Sequence, residues 1–180
     1  MDKNESKNKW YFYVCCFFVY CVIGWIYEVI WEFKVGNGFV NKGFLHGCYL
    51  PVYGFGGIIL LFSLKKLMNK KIEIKKINIT PVIVFIAILI IVSVIEYFTS
   101  VGMELIFHKR WWDYSYDILN LNGRISLRNS SLLAIGGMFY LYIVQPILNK
   151  LFSKVKDKNL KISAIVIILV MTIDFITVIF

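Results

Sequence analysis

Apolar residues gather along this chain in long runs, and short connections rich in lysine, glycine or aromatic residues separate them. A helix needs roughly 20 residues to cross about 30 Å of hydrocarbon, and the runs have lengths of this order. Helical periodicity decides little here, because a helix among lipid and other helices is apolar on most sides. The pattern predicts an all-α fold with five transmembrane helices, at about residues 10–33, 48–64, 80–107, 129–148 and 162–180.

The composition supports a membrane protein. Apolar residues make up 59% of the 180 residues and charged residues 17%, against about 45–50% and 25% in soluble domains. A soluble fold of this length could not cover its surface with so few polar groups. This excludes a secreted disulfide scaffold, a disordered chain and an ordinary cytosolic enzyme. We expect a single integral membrane domain over residues 1–180.

Lysine and arginine divide unevenly between the connections. Fourteen of the 20 precede the first run or lie between runs two and three or runs four and five. Because positive residues are retained on the cytoplasmic side, the amino terminus is predicted inside and the carboxyl terminus outside. The net charge of +9 then reflects topology and attraction to anionic lipid, and we expect no nucleic-acid partner.

Most acidic residues lie in the predicted spans or on the outer side. A carboxylate in a span costs several kcal/mol unless it is paired, protonated or in contact with water. We expect a polar cluster in the outer half, where acids meet Arg124, Arg128 and Lys42. It either binds or conducts a ligand, or it consists of buried ion pairs that fix helix packing. The candidates are Glu28, Glu32, Lys42, Glu96, Trp112, Asp113, Asn122, Arg124, Arg128 and Asp174.

The first outer connection alternates glycines with aromatic residues over residues 36–57, and Pro51 lies inside the predicted second span. Proline breaks or kinks a helix, so this segment predicts a broken or re-entrant entry that lines a site. The alternative is a tight crossing of two helices through small residues.

The second outer connection, residues 108–128, is rich in tryptophan and tyrosine. These residue types suit the headgroup level, and Asn122-Gly123 is a turn signal. The segment forms either an interfacial belt or a ligand platform. The belt would consist of Trp111, Trp112, Tyr114 and Tyr116, and the platform would place these aromatic residues among Asp113, Asp117, Asn120, Asn122 and Arg124.

The two halves of the chain share a weak pattern. A span with Glu28 leads to Asn41-Lys42-Gly43, and a span with Glu96 leads to Asn122-Gly123-Arg124. Both hairpins start on the inner side, which predicts a parallel repeat of two hairpins plus a fifth helix.

Two segments carry a family resemblance. Gly24-Trp25 with Glu28, followed by Asn-Lys-Gly-Phe-Leu-His-Gly-Cys-Tyr-Leu-Pro-Val-Tyr-Gly-Phe-Gly at 41–56, resembles one signature of a family of small bacterial membrane proteins, the ABC-transporter type IV (permease-like) family. Trp112-Asp113-Tyr114-Ser115, residues 120–124 and Asp174 resemble its second signature. The resemblance spans about residues 12–174. The family pattern has arginine where Lys42 stands and no histidine at His46.

The resemblance implies a permease subunit in the bacterial cytoplasmic membrane, working as a homo- or hetero-oligomer in contact with membrane lipid. The chain has no GxxxxGK[ST] motif, so it would need a separate ATPase, docked at residues 65–76 or 150–161.

Two other functions compete with the permease. One is an intramembrane enzyme for lipid or cell-wall precursors, with Glu28 or Glu32 as base and Arg124 and Arg128 holding a phosphate. The other is a non-catalytic membrane partner or sensor. His46 and His108 lie in different loops without metal-ligand spacing, so we expect no metal and no cofactor. We prefer the permease, which is not an enzyme by itself.

Overall fold

A computed structural model describes residues 9–110 and 112–180. Lys3 and Lys7 of the charge count and Trp111 of the aromatic belt lie outside the described residues. The helices are α1 (Trp10–Lys34), α2 (Pro51–Met68), α3 (Thr80–Phe107), α4 (Leu127–Phe139), α5 (Gln145–Phe152) and α6 (Asp157–Ile179). Two short hairpins pair β1 (Glu73–Ile74) with β2 (Ile77–Asn78) and β3 (Asn120–Leu121) with β4 (Ile125–Ser126).

In the described ranges, five helical stretches are long and apolar enough to cross a membrane, which confirms the predicted fold class. One of them, Leu127–Phe152, contains α4, a wider π-helical turn at Tyr140–Val144, and α5. Pro146 has no N–H to give to the carbonyl of Tyr142, four residues earlier, and the wider turn lies just before it. This interruption was not predicted from the sequence.

Pro51 is the first residue of α2 and does not interrupt the helix, so the predicted break at Pro51 is wrong. At the first helical position proline loses no helical hydrogen bond, and its fixed φ suits the helix. The irregular backbone instead covers residues 35–50, ahead of the helix. There Gly43 has a φ of +119°, in the left-handed region that favours glycine.

The chain forms two compact units. The first contains Met1–Ile59 and Ile143–Phe180, and the second contains Leu60–Tyr142. Within the first unit, α1 and α6 pack side by side and begin at the same end, where Lys9 pairs with Asp157. Farther along the two helices, Phe18 and Met171 pack against a buried core formed by Cys21, Leu45 and Tyr49.

Small residues let α2 approach α1 closely within the first unit. A Cβ atom added at Gly54 would overlap Cys21 and Phe17, and one added at Gly57 would overlap Tyr20. Gly56, in contrast, has no atom within 4 Å of such a Cβ. The small-residue crossing that the sequence offered as an alternative is therefore present.

A buried polar chain connects α1 to α5 in the same unit. The Tyr20 hydroxyl donates to Gln145 Oε1, and Gln145 Nε2 donates to Asn149 Oδ1 at 2.9 Å. Tyr20 is fully buried and Gln145 is 5% exposed. Buried polar groups of this kind are stable because they hydrogen-bond to each other, and they fix the register of the two helices.

In the second unit α3 packs against α4. Ile88 of α3 and Ala134 of α4 are fully buried, and Gly137 leaves room for the Ile88 side chain. The β3–β4 hairpin pairs Leu121 with Ile125 ahead of α4, and its turn contains the predicted Asn122-Gly123 signal, with Gly123 at a φ of +66°.

Candidate functional site

The ten candidate residues are divided between the two units. Glu28, Glu32, Lys42 and Asp174 belong to the first unit; Glu96, Trp112, Asp113, Asn122, Arg124 and Arg128 belong to the second. A single cluster of all ten stays a prediction.

Glu32 forms a well-partnered ion pair near the end of α1. Its side chain is 7% exposed, and Lys42 Nζ lies 2.6 Å from Oε1. Asn37 Nδ2 donates to Oε2 at 2.6 Å, so both carboxylate oxygens have partners. The glycine-containing segment after α1 thus folds back on the helix and brings Lys42, a candidate cation, to Glu32, a candidate carboxylate. The charge of Glu32 is compensated locally, which suits a structural role.

Glu28, one turn earlier on α1, has a different environment. The Tyr53 hydroxyl at the start of α2 donates to its Oε1 at 2.5 Å. Within residues 9–110 and 112–180, no Lys, Arg or His forms an ion pair with Glu28. The close approach at Gly24, where an added Cβ would overlap Tyr53, places this phenol beside the carboxylate.

Asp174 of α6 binds the first outer connection. Its Oδ1 accepts the His46 N–H at 3.1 Å and lies 2.9 Å from His46 Nδ1; its Oδ2 accepts the Gly47 N–H at 3.0 Å and the Tyr49 hydroxyl at 2.5 Å. The side chain is 11% exposed. Burial, and then the bond to this carboxylate, raise the pKa of the Tyr49 hydroxyl well above its ordinary value. Asp174 therefore holds residues 46–49 in place.

Replacing Asp174 with asparagine should lower the melting temperature of the purified protein by about 3 °C, since one carboxylate oxygen becomes an amide that cannot accept from Gly47 and Tyr49. Asp157→Asn is the control, because it removes an exposed ion pair at the other end of α6 and should change the melting temperature by less than about 1 °C. If thermal unfolding showed the same decrease in melting temperature for both variants, a specific role for Asp174 would be contradicted.

Arg124 of the second unit is held by two side chains of α3. It forms an ion pair with Glu104, and its Nη1 donates to Ser100 Oγ at 3.0 Å. The Arg124 side chain is only 13% exposed. Arg110 Nε lies 3.2 Å from the other oxygen of Glu104, so this carboxylate bridges two arginines. Glu104 is not among the ten candidate residues predicted from the sequence.

A positional signal for Glu104 was nevertheless present in the sequence. Ser93, Glu96, Ser100 and Glu104 follow each other on α3 at spacings of three, four and four residues. Such spacing places polar side chains on one face of a helix. The stripe identifies the face of α3 that receives Arg124.

Glu96 is the least compensated acid of this unit. Its Oε1 accepts from the Tyr114 hydroxyl at 3.1 Å and from Asn129 Nδ2 at 2.7 Å. Its Oε2 is buried and has no hydrogen-bond partner among the described residues. No basic side chain of the described ranges pairs with it. The Ser130 hydroxyl, next to Asn129 on α4, is likewise buried without a hydrogen-bond partner there.

A groove of about 360 Å³ lies beside these residues, within the second unit. Its walls are mostly apolar, and Ser93 of α3, Ser126 of β4 and Ser130 of α4 contribute hydroxyl groups. Leu89 of α3, Leu127 of α4, and Asn120 with neighbouring residues in and beside the β3–β4 hairpin form the rest of the wall.

In the second outer connection, Trp112 and Asp113 use their polar groups within the connection, whereas Asn122 contacts α3. Trp112 Nε1 donates to the Arg124 carbonyl at 2.9 Å. Asp113 Oδ1 accepts from the Ser115 hydroxyl and N–H, and these bonds, the hydroxyl first, lower the pKa of Asp113 below its ordinary value. Asn122 Nδ2 donates to the Tyr97 hydroxyl at 3.2 Å. These residues shape the loop that carries Arg124.

Arg128 differs from Arg124 although it lies one turn away. Its side chain is 74% exposed, and its Nη1 lies 3.7 Å from Asp117 Oδ1. Asp117 also accepts from the Ser126 hydroxyl at 2.7 Å. Arg128 therefore makes only a long, solvent-accessible ion pair.

Residues 15–179 match the model of the family described as Putative ABC-transporter type IV, and the family resemblance of the two sequence signatures is thereby confirmed. No curated protein and no solved structure matches the chain.

Proposed function

The chain belongs to the Putative ABC-transporter type IV family, and on that premise we propose that it is a permease subunit driven by a separate ATPase. The family and the five apolar helices make it a multi-pass membrane protein of a transporter type. Its sequence has no GxxxxGK[ST] phosphate loop, so ATP hydrolysis is assigned to a partner. Because five spans are few for a complete path, we propose an oligomer.

The proposed site rests on one observation, namely that the buried carboxylate of Glu96 has no basic partner among the described residues. Glu32 and Glu104 have basic partners and read as structural pairs, whereas Glu96 has donors on one oxygen only and no base among the described residues. An ionisable group without a counter-charge in a span is expensive, and it is retained where an ion, a substrate or water reaches it.

The position of Glu96 along α3 favours the outer half of the membrane. Sixteen residues separate it from Thr80, the first residue of the helix, which corresponds to about 24 Å at 1.5 Å per residue. With the lysine-rich connection before Thr80 on the cytoplasmic side, Glu96 lies nearer the outer surface. The hydroxyl of Tyr114, from the outer connection, reaches it there.

We assign the ATPase contact to the β1–β2 hairpin between α2 and α3. Its tip carries Lys75 and Lys76, and Ile74 and Ile77 are 57% and 68% exposed. Thr80 Oγ1 accepts the Ile72 N–H at 2.9 Å and donates to the Lys70 carbonyl at 2.9 Å. These bonds attach the hairpin to the first turn of α3, so a movement at the hairpin would be transmitted to the helix that holds Glu96.

Affinity purification of the tagged full chain from its native cells in mild detergent tests the proposal. We expect an ATPase subunit to copurify and its turnover to rise when the two are reconstituted in vesicles. The double variant Ile74→Asp/Ile77→Asp should abolish the association. Ile118→Asp is the control, because Ile118 is 85% exposed but lies in the outer connection. Lipid turnover by the chain alone, with no ATPase bound, would contradict the permease and favour an enzyme.

A further inference from the structure

The two oxygens of Glu96 are treated differently by the surrounding protein. Oε1 receives both available donors, from Tyr114 and Asn129. Oε2 is buried, and no donor of the described residues reaches it. An ionised carboxylate is only an acceptor, whereas the protonated acid carries an O–H of its own. A proton on Oε2 would remove the charge and leave Oε1, the carbonyl oxygen, with its two donors.

Among residues 9–110 and 112–180, no charged group around α3 serves Glu96 as a counter-ion. α3 packs against α4 and β4, and the bases near them are engaged with other acids. Arg124 and Arg110 pair with Glu104, and Arg128 pairs with Asp117. Lys65 and Lys66, in the last turn of α2, are exposed. The titratable or charged groups on or facing this part of α3 are Tyr97, Glu104, Arg110, Tyr114, Asp117, Arg124 and Arg128.

Two serines close to Glu96 in the chain or beside its partner line the mostly apolar groove, although Glu96 itself is not part of the lining. Ser93 lies one turn before Glu96 on α3 and lines the groove. Ser130, which follows the Asn129 that binds Glu96, also lines it, is 2% exposed and has a hydroxyl without a hydrogen-bond partner among the described residues. A groove of about 360 Å³ can admit several water molecules, since each needs about 30 Å³.

We infer that Glu96 is a proton-binding site and that the groove lined by Ser93 and Ser130 is the route by which its proton exchanges with water. This deepens the proposed function, because it names the ion class of that site, and it rests on that function for its role in transport. In this step a proton from groove water forms the O–H bond on Oε2 and hydroxide is left to the solvent, and the reverse step returns the proton to hydroxide.

Infrared difference spectroscopy of the purified full chain, between alkaline and acidic buffer, tests the inference. We expect the C=O stretching band of a buried protonated carboxylic acid in the wild type and its loss in Glu96→Gln. Glu104→Gln is the matched control on the same helix and should retain the band. Ser130→Val should slow the hydrogen–deuterium shift of this band at least about tenfold, because an apolar side chain then replaces the only buried hydroxyl of α4 at the groove wall.

Thermal unfolding supplies a second readout. Glutamine has the shape of the neutral acid, so Glu96→Gln should melt within about 2 °C of the wild type, whereas Glu104→Gln leaves Arg124 without its carboxylate and should melt lower. A carboxylic acid band that persists in Glu96→Gln would overturn the inference. So would a melting temperature of the wild type that rises with sodium or potassium at constant ionic strength, which would assign the site to a metal cation.

The failure of this inference is distinguishable from failure of the proposed function. The infrared band concerns the isolated chain, and ATPase copurification concerns the complex. If the band depends on Glu96 but no ATPase copurifies, the proton site stands and the permease is rejected. If an ATPase copurifies but no band depends on Glu96, the permease stands and the proton site is rejected.

Discussion

Gly54→Ala is expected to lower the free energy of unfolding by about 2 kcal/mol, and Gly56→Ala, two residues later on α2, is expected to lower it not at all. The new Cβ at Gly54 would overlap Cys21 Sγ and approach the Phe17 ring to 2.7 Å. Cys21 is fully buried and cannot move aside into solvent. The two helices must therefore separate, which disturbs every contact of this crossing.

Gly56→Ala is the control that separates the steric effect of the new methyl group from its effect on helix propensity. Alanine gains roughly 1 kcal/mol of helix propensity over glycine at either position, but at Gly56 no atom lies within 4 Å of the added Cβ. Thermal unfolding of both variants in the same detergent, followed by size-exclusion chromatography, measures the difference. If Gly54→Ala were as stable as Gly56→Ala, α1 and α2 would not cross as closely as described.

Arg124→Gln is expected to lower the melting temperature by about 5 °C, and Arg128→Gln by less than about 1 °C. Glutamine at position 124 cannot reach Glu104 and Ser100 together or supply the positive charge. Arg128 is the matched control because it is the same residue type one turn later, with a side chain 74% exposed against 13% for Arg124.

A double-mutant cycle gives this prediction its sharpest test. Adding Glu104→Gln to Arg124→Gln should cost less than the sum of the two single changes, since each single change leaves the other charge without this partner. Arg124→Lys should lie between wild type and Arg124→Gln, because lysine keeps the charge but loses the planar fork that serves two acceptors. Additive single changes would show that the two residues do not stabilise the protein as a pair.

Helix positions were predictable from the sequence to the extent that membrane thickness limits them. The third run, 80–107, coincides with α3, since Thr80 follows a lysine-rich connection and His108 takes a left-handed conformation after the last turn. α6 begins at Asp157, five residues before the predicted start. Its first turns contain Lys158 and Lys161, whose low hydropathy predicts a solvent-exposed connection and not a helix. A helix can nevertheless continue through the interface, because long basic side chains extend their charges into water.

Partners within the candidate site were harder to predict. Counting charges identified Arg124 and Arg128 as equals, but only the fold shows that one points at α3 and the other at solvent. The acid that Arg124 meets, Glu104, lies 20 residues before it, and their contact depends on the shape of the intervening loop. Sequence periodicity gives the face of a helix, whereas loop geometry decides which residue reaches that face.

The two hairpins of the predicted repeat make similar polar contacts, although the repeat itself is not tested. In each hairpin a base from the Asn-containing turn pairs with an acid of the preceding helix, Lys42 with Glu32 and Arg124 with Glu104. In each, a second glutamate, Glu28 or Glu96, accepts a tyrosine hydroxyl instead. The parallel arrangement of the hairpins itself stays a prediction.

The division of the chain into units has a consequence for biogenesis. Leu60–Tyr142 is continuous, so the ribosome completes that unit while α6 is still unmade. The other unit joins its two segments only after Asp174 has been synthesised and can bind residues 46–49. During that interval the nascent amino-terminal helix lacks its α6 neighbour, so the side chains of α1 that face α6 stay unpacked until α6 has been made.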